Sequence, residues 1–134
     1  GVTQAGRVDN VHLVSAGLDL IPTLCDYAGI EAPEGLPGRS VRALAEGRTP
    51  ASWRDDLVVE SHEARMIRAG RFKYNLYPTG QRREQLIDLE TDPGEMRNLA
   101  ADPKYRDVLL DMRRRLRRWV ESTGDEIARP YLAD

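Results

Sequence analysis

Apolar side chains return every three or four positions near the end of the chain, where Tyr105, Val108, Leu109, Met112, Leu116, Trp119 and Val120 fall on one stripe. Arg113, Arg114, Arg117 and Glu121 lie mostly off that stripe, so the spacing predicts a long amphipathic helix with one face against a core. Asp102-Pro103 marks its start, with an acid placed to cap and a proline in the first turn, where a missing N–H costs nothing.

Upstream, the period changes to that of strands. Residues 57–60, 65–68, 72–77 and 85–88 are short segments of β-branched, aromatic and aliphatic residues. They are separated by turn signals at 61–64, at Ala69-Gly70-Arg71 and at Thr79-Gly80-Gln81. The pattern predicts a four-stranded antiparallel meander, and with the long C-terminal amphipathic helix packed on one of its faces the fold class is α+β. A sharp turn is expected at Asp92-Pro93-Gly94.

The first third reads differently. Val11 to Val14 suits a short strand, and Leu18, Ile21, Cys25 and Ala28 recur at helical spacing until Gly29 supplies a stop. Pro22 falls inside that pattern, which places the expected helix start close to Asp19. From Ile30 to Trp53, Pro33, Gly35, Pro37, Gly38, Gly47 and Pro50 break any long element, leaving one helical turn around Val41 to Ala45. A boundary is expected in this stretch.

Composition narrows the function classes. The 134 residues are 40% hydrophobic and carry a formal charge of -2, so no whole-chain field attracts nucleic acid or an anionic membrane. Neither is expected as a partner. No apolar run approaches the length a bilayer requires, which points to the soluble class. The chain opens at Gly1, and its first residues read as mid-protein sequence, so it is expected to be a fragment. The single cysteine, Cys25, excludes an intramolecular disulfide and sits on the expected helix face as an inert thiol.

Candidate chemistry is sparse. Only His12 and His62 are available as imidazoles, with no metal-binding spacing around them, and Asp9-Asn10 is best read as a turn pair. Ser61 and His62 are neighbours that a strand would point to opposite faces, and no nucleophile elbow exists. The basic run Arg113 to Arg118 is best read as a solvated helix face, and Phe72, Tyr74 and Tyr77 as core aromatics. The cluster Glu60-Ser61-His62-Glu63-Ala64-Arg65 stands apart, because a strand end and tight loop there can offer a guanidinium fork to an anion and acceptors to hydroxyls. A solvated hairpin loop is the alternative.

Five ordered phrases then carry a resemblance. Val14-Ser15-Ala16-Gly17-Leu18-Asp19-Leu20-Ile21-Pro22-Thr23-Leu24 with Ala28-Gly29-Ile30 comes first, and Pro33 through Gly38-Arg39-Ser40 second. Ile67-Arg68 with Phe72-Lys73-Tyr74, then Glu84-Gln85-Leu86-Ile87-Asp88-Leu89-Glu90, then Asp92-Pro93-Gly94-Glu95 with Asn98-Leu99-Ala100, complete the set. In this order they resemble the C-terminal portion of the sulfatase family, arylsulfatase or N-sulfoglucosamine sulfohydrolase-like, in the alkaline-phosphatase-like superfamily. Ile87 stands where that family usually has tyrosine.

The resemblance implies that residues 1–45 are the last strand and helix of an α/β catalytic domain and that 46–134 form the smaller C-terminal α+β subdomain. It implies a parent enzyme that hydrolyses sulfuric esters or sulfamates with a divalent cation, calcium or magnesium, and a formylglycine residue upstream. Cys25 in Leu24-Cys25-Asp26 does not match the C-x-P-S-R motif that becomes formylglycine, so no catalytic residue carries over and the fragment alone is expected to be inactive. The segment Ser61-His62-Glu63 is similar to one near the sugar-binding side of such enzymes. It makes His62, Glu63 and Arg65 the candidate substrate-binding rim.

The implied partners are the rest of the catalytic domain and a sulfated small molecule or carbohydrate. Two other readings remain: a free-standing anion- or carbohydrate-binding module, and the C-terminal part of a related phosphodiesterase or phosphonate hydrolase.

Overall fold

The computed structural model describes residues 8–132, which divide into two compact units at Arg54/Asp55. The division falls later than the expected 45/46 boundary because Trp53 and Arg54 belong to the first unit. The Trp53 Nε1–H donates to the Leu13 carbonyl (2.9 Å), and Arg54 forms a two-armed ion pair with Asp19 (2.8 and 2.5 Å).

The first unit is built on helix α1, Ala16–Ala28. It starts earlier than Pro22 suggested, because Asp19 reaches back to accept the Ser15 N–H (2.8 Å) as the acid of a capping box does. Gly29 closes it in the left-handed conformation (φ 68°), with Ile30 N–H returning to the Cys25 carbonyl (3.0 Å). The expected strand at Val11 to Val14 is not formed. The Asp9 carboxylate instead accepts the N–H groups of Val11 and His12 (2.9 Å each) and folds that stretch into a turn.

Pro22 has no N–H to give the Leu18 carbonyl, and that carbonyl is where Gly38 approaches. A Cβ on Gly38 would lie 1.8 Å from it, so only glycine fits. Asp19 accepts Arg39 N–H (2.9 Å), and Thr23 Oγ1 donates to the Asp19 carbonyl (2.6 Å) while accepting Val41 N–H (3.0 Å). The Asp19, Pro22 and Thr23 side of α1 is therefore the buried one, holding the 38–41 loop ahead of α2, Arg42–Ala45. The expected apolar face is not: Ile21 and Ala28 are exposed, as are Leu20, Leu24 and Tyr27, while Leu18 and Cys25 are half-buried.

The second unit matches the expected meander. Strands β1 (Asp56–Glu60), β2 (Arg65–Ala69), β3 (Phe72–Leu76) and β4 (Glu84–Asp88) pair antiparallel in the order β1-β2-β3-β4. Val58, Ile67, Tyr74 and Leu86 align in one cross-strand row. Over that row packs α3, Arg106–Thr123, entered through a 3-10 turn at Pro103–Tyr105 that Asp102 caps by accepting Lys104 N–H (3.0 Å).

Leu109, Met112, Leu116 and Val120 meet Ile67, Tyr74, Leu76 and Leu86 in the core. Each such side chain stabilises the unit by roughly 1.5–3 kcal/mol relative to exposure. Asn98 stitches the next segment to β4, accepting Leu86 N–H (3.1 Å) and donating to the Glu84 carbonyl (2.9 Å). Leu99 enters the core beside it.

Replacing Gly38 with alanine is expected to destabilise the first unit by about 1–3 kcal/mol, the usual cost of overpacking. Trp53 is the first unit's tryptophan and Trp119 the second's. Denaturant unfolding of Gly38→Ala in a Trp119→Phe background, followed by fluorescence, checks the value, and an unchanged midpoint contradicts it.

Candidate functional site

The β1–β2 and β3–β4 connections emerge at the same end of the sheet, where Glu60, Arg65, Leu76 and Glu84 form the last cross-strand row. Between these connections lies a depression of about 390 Å³ lined by Ser61, His62, Glu63, Ala64, Tyr77, Pro78 and Thr79. His62 and Glu63 are both exposed on its edge. Tyr77, expected in the core, is 36% exposed and forms the opposite wall. It lies just past the end of β3, so strand alternation no longer fixes its side.

Arg65 stands elsewhere. Its side chain is only 4% exposed, and its guanidinium points inward rather than to the depression. One nitrogen donates to the carbonyls of Ser61 and Ala64 (2.9 Å each). The Nε donates to one Asp125 oxygen and another nitrogen to the second (3.2 Å). Apart from a 3.8 Å ion pair with the exposed Glu60, the polar contacts of this fork are inside the protein, so Arg65 positions the loop and does not itself reach the rim.

Asp125 is delivered by the end of α3. Gly124 takes the left-handed conformation (φ 70°) and turns the chain back, so that Asp125 N–H caps the Val120 carbonyl (3.1 Å) while its carboxylate faces Arg65. The same carboxylate accepts the N–H groups of Ile127 (2.8 Å) and Ala128 (3.2 Å). Burial favours the neutral acid, but the Arg65 fork and these two amides outweigh it and hold the carboxyl below the usual carboxylate range. The loop closes on itself as well, with Ser61 N–H bonded to the Ala64 carbonyl (3.0 Å) and Ala64 N–H to Ser61 Oγ (3.0 Å).

A second charged clamp shares the row. Glu84 accepts two bonds from Arg113 of α3 (2.7 and 2.5 Å) and one from the Tyr74 hydroxyl (2.6 Å). The Arg113 bonds hold the Glu84 carboxyl low against partial burial, and burial followed by Glu84 pushes the Tyr74 phenol up. The basic run is thus partly committed: Arg113 to Glu84, Arg115 to Asp111 and Asp56, and Arg114 to Asp111.

Other candidates resolve as structure. Asp9 is a turn residue whose second oxygen meets His12 Nδ1 (2.8 Å). Cys25 is a half-buried free thiol. Among the described residues no three His, Cys, Asp or Glu gather as a cation's ligands, so the residues present do not fit the divalent cation that the resemblance implies. No helix among them is long and apolar enough to cross a membrane.

This meander with one long covering helix is the architecture of the C-terminal part of sulfatases. Residues 3–122 match the family model for the C-terminal region of N-sulphoglucosamine sulphohydrolase, and the chain belongs to that family. It is similar to a delta 4,5-hexuronate-2-O-sulfatase of Bacteroides thetaiotaomicron, 34% identical over 94% of this chain. It spans only 28% of that relative's length.

A solved 2-O GAG sulfatase superposes with a TM-score of 0.81 at 34% identity, over 90% of this chain and 27% of that one. The phosphonate monoester hydrolase of Agrobacterium radiobacter superposes with a TM-score of 0.57 at 30% identity, over 73% of this chain and 23% of that one.

Removing one member of a buried ion pair leaves the other charge uncompensated, so Asp125→Ala is expected to cost about 3–5 kcal/mol. Because the folded-state pKa of Asp125 is depressed, its contribution is complete above the unfolded-state value of about 3.9 and fades as pH falls through the lower folded value. Unfolding followed by Trp119 across that acid range therefore shows a smaller loss of stability on acidification in Asp125→Asn than in the unmodified chain. Equal acid sensitivity of the two proteins contradicts this assignment.

Proposed function

We propose that this chain is the substrate-flanking C-terminal part of a sulfatase acting on sulfated carbohydrate, and that it shapes the pocket without breaking the bond. The observation that carries this reading is the loop 61–64, hung from the buried Arg65 and presenting His62 and Glu63 across from Tyr77. His62 and Glu63 can offer hydrogen bonds to sugar hydroxyls, and Tyr77 an apolar flank with a polar tip. Arg65 serves that rim through the loop's shape. The likeness to a hexuronate-2-O-sulfatase supports a saccharide as substrate.

The rest of the catalytic domain is the implied partner. The exposed face of α1, with Leu20 57%, Ile21 52% and Leu24 58% exposed, gives it an apolar surface to cover. The divalent cation and formylglycine belong to that upstream part in this reading, where they would supply the sulfate-holding charge and the nucleophile. The residues here bind, orient and wall off.

A second reading, phosphonate ester hydrolysis, is favoured by the likeness to the phosphonate monoester hydrolase. Turnover of matched sulfate and phosphonate esters by the enzyme extended upstream discriminates the two. In that enzyme, His62→Ala or Glu63→Ala is expected to lower kcat/KM on the sulfated saccharide about tenfold, roughly 1.4 kcal/mol, and to leave an aryl sulfate within about threefold. Equal effects on both substrates, or none on either, count against the rim. The chain by itself is expected to hydrolyse neither, and metal-dependent turnover by it refutes the proposal.

A further inference from the structure

The hairpin connecting β3 and β4 has two sides. Residues 77–79 face the His62 depression, while Gln81, Arg82 and Arg83 line a separate, larger one of about 500 Å³. Leu76, Glu84, Asn98, Ala100, Ala101 and Tyr131 complete the second wall. Its size suits a monosaccharide-sized ligand or larger.

The charge of its lining decides what it takes. Glu84 is the one carboxylate in the lining, and its oxygens are already satisfied by Arg113 and the Tyr74 hydroxyl. The Asn98 side chain is spent on the main chain, with its amide on the Glu84 carbonyl and its oxygen on Leu86 and Ala100 N–H. Among the described residues the lining thus carries more guanidinium than carboxylate charge: Arg83 faces only the Glu84 already bound by Arg113, and Arg82 has no ion pair.

Arg83 is partly ordered, lying over the Tyr131 ring (5.1 Å to the centroid) with one nitrogen near the Tyr131 carbonyl (3.4 Å). Stacking leaves the in-plane N–H edge of a guanidinium open to a bidentate anion. Arg82 makes no hydrogen bond or ion pair among the described residues. Beside them, the Gln81 amide can donate and accept.

We infer that this depression is an anion subsite for an acidic saccharide, in which Arg82 and Arg83 hold a sulfate ester or uronate carboxylate and Gln81 a neighbouring hydroxyl. It deepens the saccharide reading above and rests on it for the class of ligand. Because the hairpin separates it from the His62 depression, it would hold a unit of the saccharide other than the one at that rim.

Binding, not turnover, tests the subsite, so its failure is distinguishable from failure of the sulfatase reading. The whole 134-residue chain is titrated by NMR with a sulfated uronate–glucosamine disaccharide, in parallel with the desulfated disaccharide, inorganic sulfate and a short DNA duplex. The expected result is saturable shifts at the Arg82 and Arg83 Nε–H and Tyr131 signals.

In Arg82→Gln/Arg83→Gln affinity for the disaccharide is expected to fall at least about tenfold, with the α3 amide signals unmoved as a check on folding. Arg118→Gln, an exposed change outside both depressions, should leave it unchanged. Retained binding of the desulfated sugar assigns the carboxylate as the anion, and its loss assigns the sulfate. Shifts spread evenly over Arg114 and Arg118, an affinity indifferent to the double substitution, or tighter binding of DNA than of the disaccharide would overturn the inference.

Discussion

The buried contact between Arg65 and Asp125 is the constraint on which the loop end of the second unit depends. A guanidinium at 4% exposure and a carboxylate at 6% are tolerable only as a closed set, and this set closes by drawing in two loop carbonyls and two backbone amides. Sheet, long helix and rim loop are thereby tied at one point. The Glu84 to Arg113 clamp repeats the arrangement two strands away on the same row.

Seen this way, the phrases that relate the chain to sulfatases are largely instructions for folding. Asp19, Thr23 and Gly38 fasten a loop to α1, Asn98 extends the pairing of β4, and Glu84 anchors α3. None of them needs to meet a substrate to be required. The proposed chemistry of the chain lies instead in the short connections at the end of the sheet, where the scaffold leaves side chains unspent.

The second unit was legible in the sequence because its signals are local. The switch from a period of two to one of three and four, the turn at Gly70 and the Asp102-Pro103 start each state a backbone preference without reference to distant residues. The first unit was less so. Apolar spacing in α1 suggested a buried face, yet the side packed within this unit is the one bearing Asp19, Pro22 and Thr23, because a polar loop is fastened there. Val11 to Val14 is apolar enough for a short strand, but Asp9 captures its first amides. The candidate site was half legible. His62 and Glu63 are where a tight loop puts them, whereas the role of Arg65 is set by Asp125, 60 residues on and reachable only through the left-handed turn at Gly124.

Amide hydrogen exchange across residues 61–65 tests this dependence most directly, because it reads the loop apart from the core. If Arg65 and Asp125 set its shape, Asp125→Asn speeds exchange at Ser61 and Ala64 at least about tenfold more than at Met112 and Leu116, a local opening of roughly 1.4 kcal/mol. Uniform acceleration throughout the second unit, or loop amides as protected as before, would contradict it.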